Sequence, residues 1–103
     1  METALDGLVT VFPDSVFTSD PLEVRARTLV RVKDADDYDH GFTVTLLDSR
    51  GNGMASVMTD GASIMLRLAV VKRSQRTVRL VIENHSEDPH TYVLDVLPDP
   101  TPI

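Results

Sequence analysis

A chain of 103 residues has room for one compact domain and little more. Leu, Ile, Val and Phe supply 31 of those residues, enough to build a core, while the absence of Cys excludes disulfides, thiolate metal sites and a cysteine nucleophile. Ten Lys and Arg against 16 Asp and Glu leave a formal charge of −6, which argues against a broad electrostatic footprint on nucleic acid or on an anionic membrane.

The chain starts Met1-Glu2-Thr3-Ala4-Leu5-Asp6, without the basic and apolar regions of a signal peptide, and no apolar run approaches the roughly 20 residues that cross a bilayer. The expectation is a cytoplasmic or assembly-associated protein. A first strand is predicted over 5–12, closed by Phe12-Pro13-Asp14-Ser15 and Ser19-Asp20-Pro21. From Leu22 to Lys33 every even residue is apolar or Thr, while Glu23, Arg25, Arg27, Arg31 and Lys33 alternate with them, so a second strand is predicted over 22–33. The same period of two predicts strands over 42–48, 54–59, 63–71, 77–84 and 91–97, separated by Asp48-Ser49-Arg50-Gly51-Asn52-Gly53, Thr59-Asp60-Gly61 and Glu87-Asp88-Pro89. No stretch has apolar residues at helical spacing. In Pro98-Asp99-Pro100-Thr101-Pro102-Ile103 every second residue is Pro, which cannot donate a ladder of N–H groups, so 1–97 reads as the domain and 98–103 as a Pro-rich tail.

About seven short strands with turns every eight to twelve residues resemble the immunoglobulin-like β-sandwich in its wider form, as in fibronectin-type and bacterial Ig-like domains. The resemblance implies an all-β, single antiparallel sandwich. The run Val78 to Leu94, a strand, a polar turn and a strand, is similar to a cupredoxin hairpin, but the Cys ligand of that family is missing. Ig order would gather the second, fourth and sixth connections at one end, and with them Asp34, Asp36, Asp37, Asp39, Asp60, Glu87, Asp88 and all three His, 40, 85 and 90. Arg50, Lys72, Arg73 and Arg76, with Asp14, Asp20 and Asp48, would lie at the other end.

Seven carboxylates on neighbouring loops have the chemistry to chelate Ca²⁺, which takes six to eight oxygens, and they are equally the ordinary content of solvated loops. Counted from Asp34, the sixth position is Asp39 rather than Gly and the twelfth is Thr45 rather than Glu, so the EF-hand pattern fails. The three His offer Zn²⁺ or Cu²⁺ ligands in no established spacing, or are unrelated turn residues. Arg25, Arg27, Leu29, Arg31, Arg67, Arg79 and Val81 share one strand parity. They predict either a sheet face that mixes Arg with aliphatics, suited to a protein partner, or a wet face paired with Glu23, Glu83 and Asp95.

Arg27-Thr28-Leu29-Val30-Arg31 resembles the Arg-x-x-x-Arg half of the cyclic-di-GMP-binding PilZ pattern. Its Asp/Asn-x-Ser-x-x-Gly half is approximated by Asp48-Ser49-Arg50-Gly51-Asn52-Gly53, with Ser one place early. That resemblance implies ligand contacts at Arg27, Arg31 and Asp48. No Gly-x-Ser-x-Gly elbow, His-Glu-x-x-His or phosphate loop is present. The expectation is therefore a non-enzymatic protein-interaction or structural module of a larger assembly, without a required cofactor. The alternative is a ligand-binding domain, for a divalent metal at the Asp/His end or for cyclic-di-GMP in a PilZ-like barrel. Exposed edge strands leave homo-oligomerisation open.

Overall fold

A computed structural model describes residues 7–24, 28–68 and 77–98. They form nine strands: β1 (Gly7–Val11), β2 (Val16–Thr18), β3 (Leu22–Glu23), β4 (Thr28–Asp34), β5 (Phe42–Leu47), β6 (Gly53–Thr59), β7 (Ser63–Leu68), β8 (Thr77–Asn84) and β9 (His90–Pro98). No helix among the described residues is long and apolar enough to cross a membrane.

Every pairing is antiparallel, in two sheets: β1-β9-β4-β7, and β2-β8-β5-β6 with β3 also on β8. Alternation drives each strand to turn one row inward. Val30 and Val32 from the first sheet and Val44, Leu46, Leu80 and Ile82 from the second belong to a single buried cluster. The outward rows carry the charges, as in Arg31 and Lys33 on β4.

The Ig-like order expected from strand count is not the order found. An Ig sandwich groups its first, second, fifth and fourth strands in one sheet. Here the first strand lies against the last, and with β2 and β3 counted as one interrupted strand the sheets read 1-8-3-6 and 2-7-4-5, the winding of a jelly roll. Strand count and turn spacing are too similar in the two arrangements to tell them apart from sequence. Only long-range pairing separates them.

The predicted strand over 22–33 divides in two. Leu22 and Glu23 pair with Val78 and Thr77 in the second sheet, whereas Thr28 to Asp34 pair with β7 and β9 in the first. The period of two survives the change of sheet because Leu22 and Val24 enter the shared core from one side and Val30 and Val32 from the other. The strand β2, between Pro13 and Pro21, escapes sequence prediction because three residues carry too little alternation. Predicted segments 5–6, 25–27, 69–71 and 99–103, and with them Lys72, Arg73 and Arg76, lie outside the described residues, and Pro98, assigned to the tail, ends β9.

Turn chemistry follows the residues expected to supply it. Asp14 and Asp37 adopt left-handed φ of 56° and 59°, which Asp tolerates better than most residues, and Gly51 sits at 85°. Asp48 Oδ1 accepts from the N–H groups of Arg50 and Asn52, both at 2.9 Å, and so shapes the β5–β6 turn.

Candidate functional site

Successive antiparallel strands reverse direction, so the connections alternate between the two ends of the sandwich whatever the strand order. The loops β4–β5, β6–β7 and β8–β9 therefore meet at one end, as the sequence predicts, although the topology behind that prediction differs. The β1–β2 loop joins them through Asp14 N–H donating to Asn84 O at 3.2 Å, so Asp14 belongs to this end and not the opposite one. Backbone bonds lace the loops together: Asp34 N–H to Ala62 O (2.8 Å), Ala35 N–H to Thr91 O (2.8 Å) and His85 N–H to Gly41 O (3.0 Å).

Asp34 ends the inward row of β4 and is only 1% exposed. One of its oxygens accepts from the N–H groups of Asp36 (2.8 Å) and Tyr38 (3.4 Å), and Asp37 N–H closes the same turn onto Asp34 O at 3.1 Å. The other accepts from His90 Nδ1 at 2.8 Å, with His40 Nδ1 at 3.6 Å. Two N–H donors and an imidazole N–H are the partners a buried carboxylate needs.

His40 bridges the loop to the core. Its Nδ1 lies 3.0 Å from Tyr38 O, an acceptor, so Nδ1 donates; in the neutral ring Nε2 is then the acceptor for the Tyr92 hydroxyl at 2.7 Å. The His40 ring stacks on His90, with centroids 3.6 Å apart and planes within 7°, and packs on Phe42 at 5.0 Å. Burial first, and the Asp34 carboxylate second, push the Tyr92 phenol well above its ordinary value of 10.0. In the unfolded chain the phenol ionises near 10 while in the fold it stays protonated, so the folded state binds more protons above pH 10 and loses stability as pH rises through that range. Thermal melts between pH 9 and 12 are expected to show this alkaline decline in the wild type, and Tyr92→Phe is expected to flatten it.

Asn84 fixes the β8–β9 turn from the same buried layer. Its Nδ2 donates to Val11 O (2.9 Å) and Asp88 O (2.8 Å), while Oδ1 accepts from the N–H (2.8 Å) and hydroxyl (2.7 Å) of Ser86.

Above this floor opens a groove of about 680 Å³. Asp36, Asp39, Glu87 and Asp88 line it, with His40, His85 and His90; the Tyr38 ring, 62% exposed, stands at its rim, and no Lys or Arg among the described residues takes part. Of the other predicted metal-site acids, Asp34 lies beneath the groove, Asp37 holds Lys33 Nζ at 3.2 Å, and Asp60 approaches Gly41. Seven carboxylates thus share one end of the molecule without converging on a point. The one close trio among the described residues is Asp34, His40 and His90. An imidazole binds a metal in its own plane, and an ion midway between two parallel rings would sit about 1.8 Å out of each. The trio as placed is held by hydrogen bonds, and an ion bound by both rings would require one to leave the stack.

The predicted sheet face does not assemble as one surface. Leu29, Arg31 and Arg67 share the outer side of the first sheet, with Leu29 opposite both Arg67 and Leu97. Arg79 and Val81 lie on β8, on the outer side of the second sheet, because β8 pairs with β5. Arg31 is tied to Asp95 at 2.6 Å, and Arg79 donates to Ser19 O at 3.1 Å. Arg25 and Arg27 lie outside the described residues. The PilZ-like contacts are likewise not gathered: Arg31 sits in mid-strand of the first sheet, while Asp48 holds a turn of the second.

Sequence reasoning missed Tyr38, Phe42 and Tyr92 as parts of this end and did not foresee the stacked imidazoles. A signal was present for the floor. Asp34 continues the inward parity of Val30 and Val32, Asn84 that of Leu80 and Ile82, and His90 that of Tyr92 and Leu94. A polar residue at an inward position near a strand end marks a buried, partnered group.

No family model and no curated protein matches the sequence. Solved structures do match the fold. PirA superposes with a TM-score of 0.62 at 15% identity, over 93% of this chain and 96% of its own. A mitogen derived from Yersinia pseudotuberculosis (YPM) gives 0.58 at 14% identity, over 94% and 86%, and a de novo designed double-stranded β-helix gives 0.52 at 15% identity, over 87% and 95%. The chain is therefore similar to these all-β proteins in its two-sheet architecture, over nearly its whole length.

Proposed function

We propose that this domain is a non-enzymatic recognition module that seats a cationic side chain of a protein partner, Lys or Arg, in the groove at its acidic end. The observation that carries the reading is the composition of that groove: four carboxylates, an exposed tyrosine ring and, among the described residues, no Lys or Arg. A guanidinium or ammonium entering it meets four carboxylates, and an aromatic face at the rim adds a cation–π contact. The buried bonds of Asp34, His40 and Asn84 hold the groove-lining loops before binding, which reduces the ordering that a partner would otherwise have to impose. The mixed Arg and aliphatic sheet face is a weaker candidate, since Arg31 and Arg79 already have partners within the chain.

The test is an amide NMR titration with capped hexapeptides carrying two Arg or, as control, two Glu. Saturable shifts confined to 36–41 and 85–91 are expected for the Arg peptide alone, weakening with added salt. Asp36→Asn with Glu87→Gln should weaken binding by about 3- to 10-fold, and Tyr38→Ala by about 2- to 5-fold. Equal response to the Glu peptide, or shifts centred on Leu29 and Arg67, would overturn the assignment.

A further inference from the structure

We infer that β6 is a docking edge for a second copy of this chain, which would pair antiparallel through β6 and join two five-stranded sheets into one. Among the described residues β6 is the terminal strand of its sheet, paired with β5 and with no strand on its other side. Its seven residues, Gly-Met-Ala-Ser-Val-Met-Thr, include no charge and no Pro, the devices that commonly blunt an exposed edge. A bulge lies at its start, opposite Leu46 and Leu47, and pairing from Ala55 to Thr59 is regular.

The core is also incompletely covered here. Val57 pairs with the fully buried Val44 and so faces inward, yet it is 38% exposed. Met58, on the outer side of the same strand, is 63% exposed. The other edges differ: β2 and β3 are interrupted by Ser19-Asp20-Pro21, β7 carries Arg67, and the inward Val11 of β1 is buried.

A second observation selects a copy of the same chain as occupant. Arg50 and Asp60 flank β6 at opposite ends, and neither has an ion-pair partner among the described residues. Antiparallel pairing about a two-fold axis near Ser56 sets Val57 opposite Ala55 of the other copy, so the inward rows continue across the junction. The same register sets Asp60 of each copy opposite Asn52 of the other, two residues along the chain from Arg50. Both Arg50–Asp60 ion pairs form by the one symmetry operation, as an isologous contact requires. A single strand pair is smaller than a standard interface of about 1,600 Å², so a weak, concentration-dependent dimer is expected.

Sedimentation equilibrium over about 5–500 μM reads this directly, with fold checked by NMR. The wild type is expected to show a monomer–dimer equilibrium, with amides of β6 gaining exchange protection as concentration rises. Val57→Lys should raise the dissociation constant at least about tenfold by placing a charge on the inner side of the edge. Arg50→Asp and Asp60→Arg should each weaken the dimer, and the double swap should recover it to within about threefold of the wild type. A wild type that stays monomeric throughout would overturn the proposal. So would a dimer that withstands Val57→Lys, or a double swap no tighter than its single variants.

Discussion

Asp34→Ala is expected to remove about 3–5 kcal/mol of folding stability, on the scale of leaving several buried donors without their carboxylate acceptor. The substitution leaves the Asp36 N–H and His90 Nδ1–H without the buried carboxylate that accepts from them, and it releases the turn that places Asp36, Tyr38 and Asp39. For a domain whose whole stability is of order 5–15 kcal/mol, the melting temperature should fall by roughly 15–30 °C. Asp34→Asn keeps one carbonyl acceptor and should lose about half as much. Guanidinium unfolding of the three proteins measures the difference. A loss below about 1 kcal/mol for the alanine variant would show that the loop backbone holds itself in place.

Phe42→Ala should be of comparable size, about 3–5 kcal/mol, for a different reason. The ring is wholly buried and lies 5.0 Å from the centroids of both His40 and Tyr92, so truncation opens a cavity between the two sheets at the loop end. It also withdraws the surface on which His40 stacks. Phe42→Leu refills most of that volume and should lose no more than about 1.5 kcal/mol. The two substitutions separate packing from hydrogen bonding. If the groove depends on the aromatic stack, the His40 and His90 ring resonances should broaden in Phe42→Ala; if Asp34 alone suffices, they should stay sharp.

Much of this organisation was legible in the chain. Alternation in Phe42-Thr43-Val44-Thr45-Leu46 and in Val78 to Ile82 located strands to within a residue or two, because burying one sheet face leaves a direct record in every second side chain. The clustering of Asp36, Asp39, Glu87 and Asp88 was legible too, since antiparallel strands send alternate connections to the same end. The partition of Leu22 to Lys33 between two sheets was not, because both sheets face one core and impose the same parity.

The pairing of β1 with β9 and of β4 with β7 rests on contacts between residues as distant in sequence as Val9 and Tyr92, for which local propensity has no marker. The same is true of the site. Its charge follows from composition and strand direction, whereas its chemistry follows from placement: Asp34 and His90 are 56 residues apart and His40 and Tyr92 are 52 apart, yet each pair is within hydrogen-bond distance. Composition and periodicity determined an all-β chain with one wet and one dry side to each strand and an acidic loop end. Which strands became neighbours, and hence which carboxylate was buried beneath which imidazoles, was decided only by closing the sandwich, where the burial of all inward rows at once selects among many registers that satisfy each strand alone.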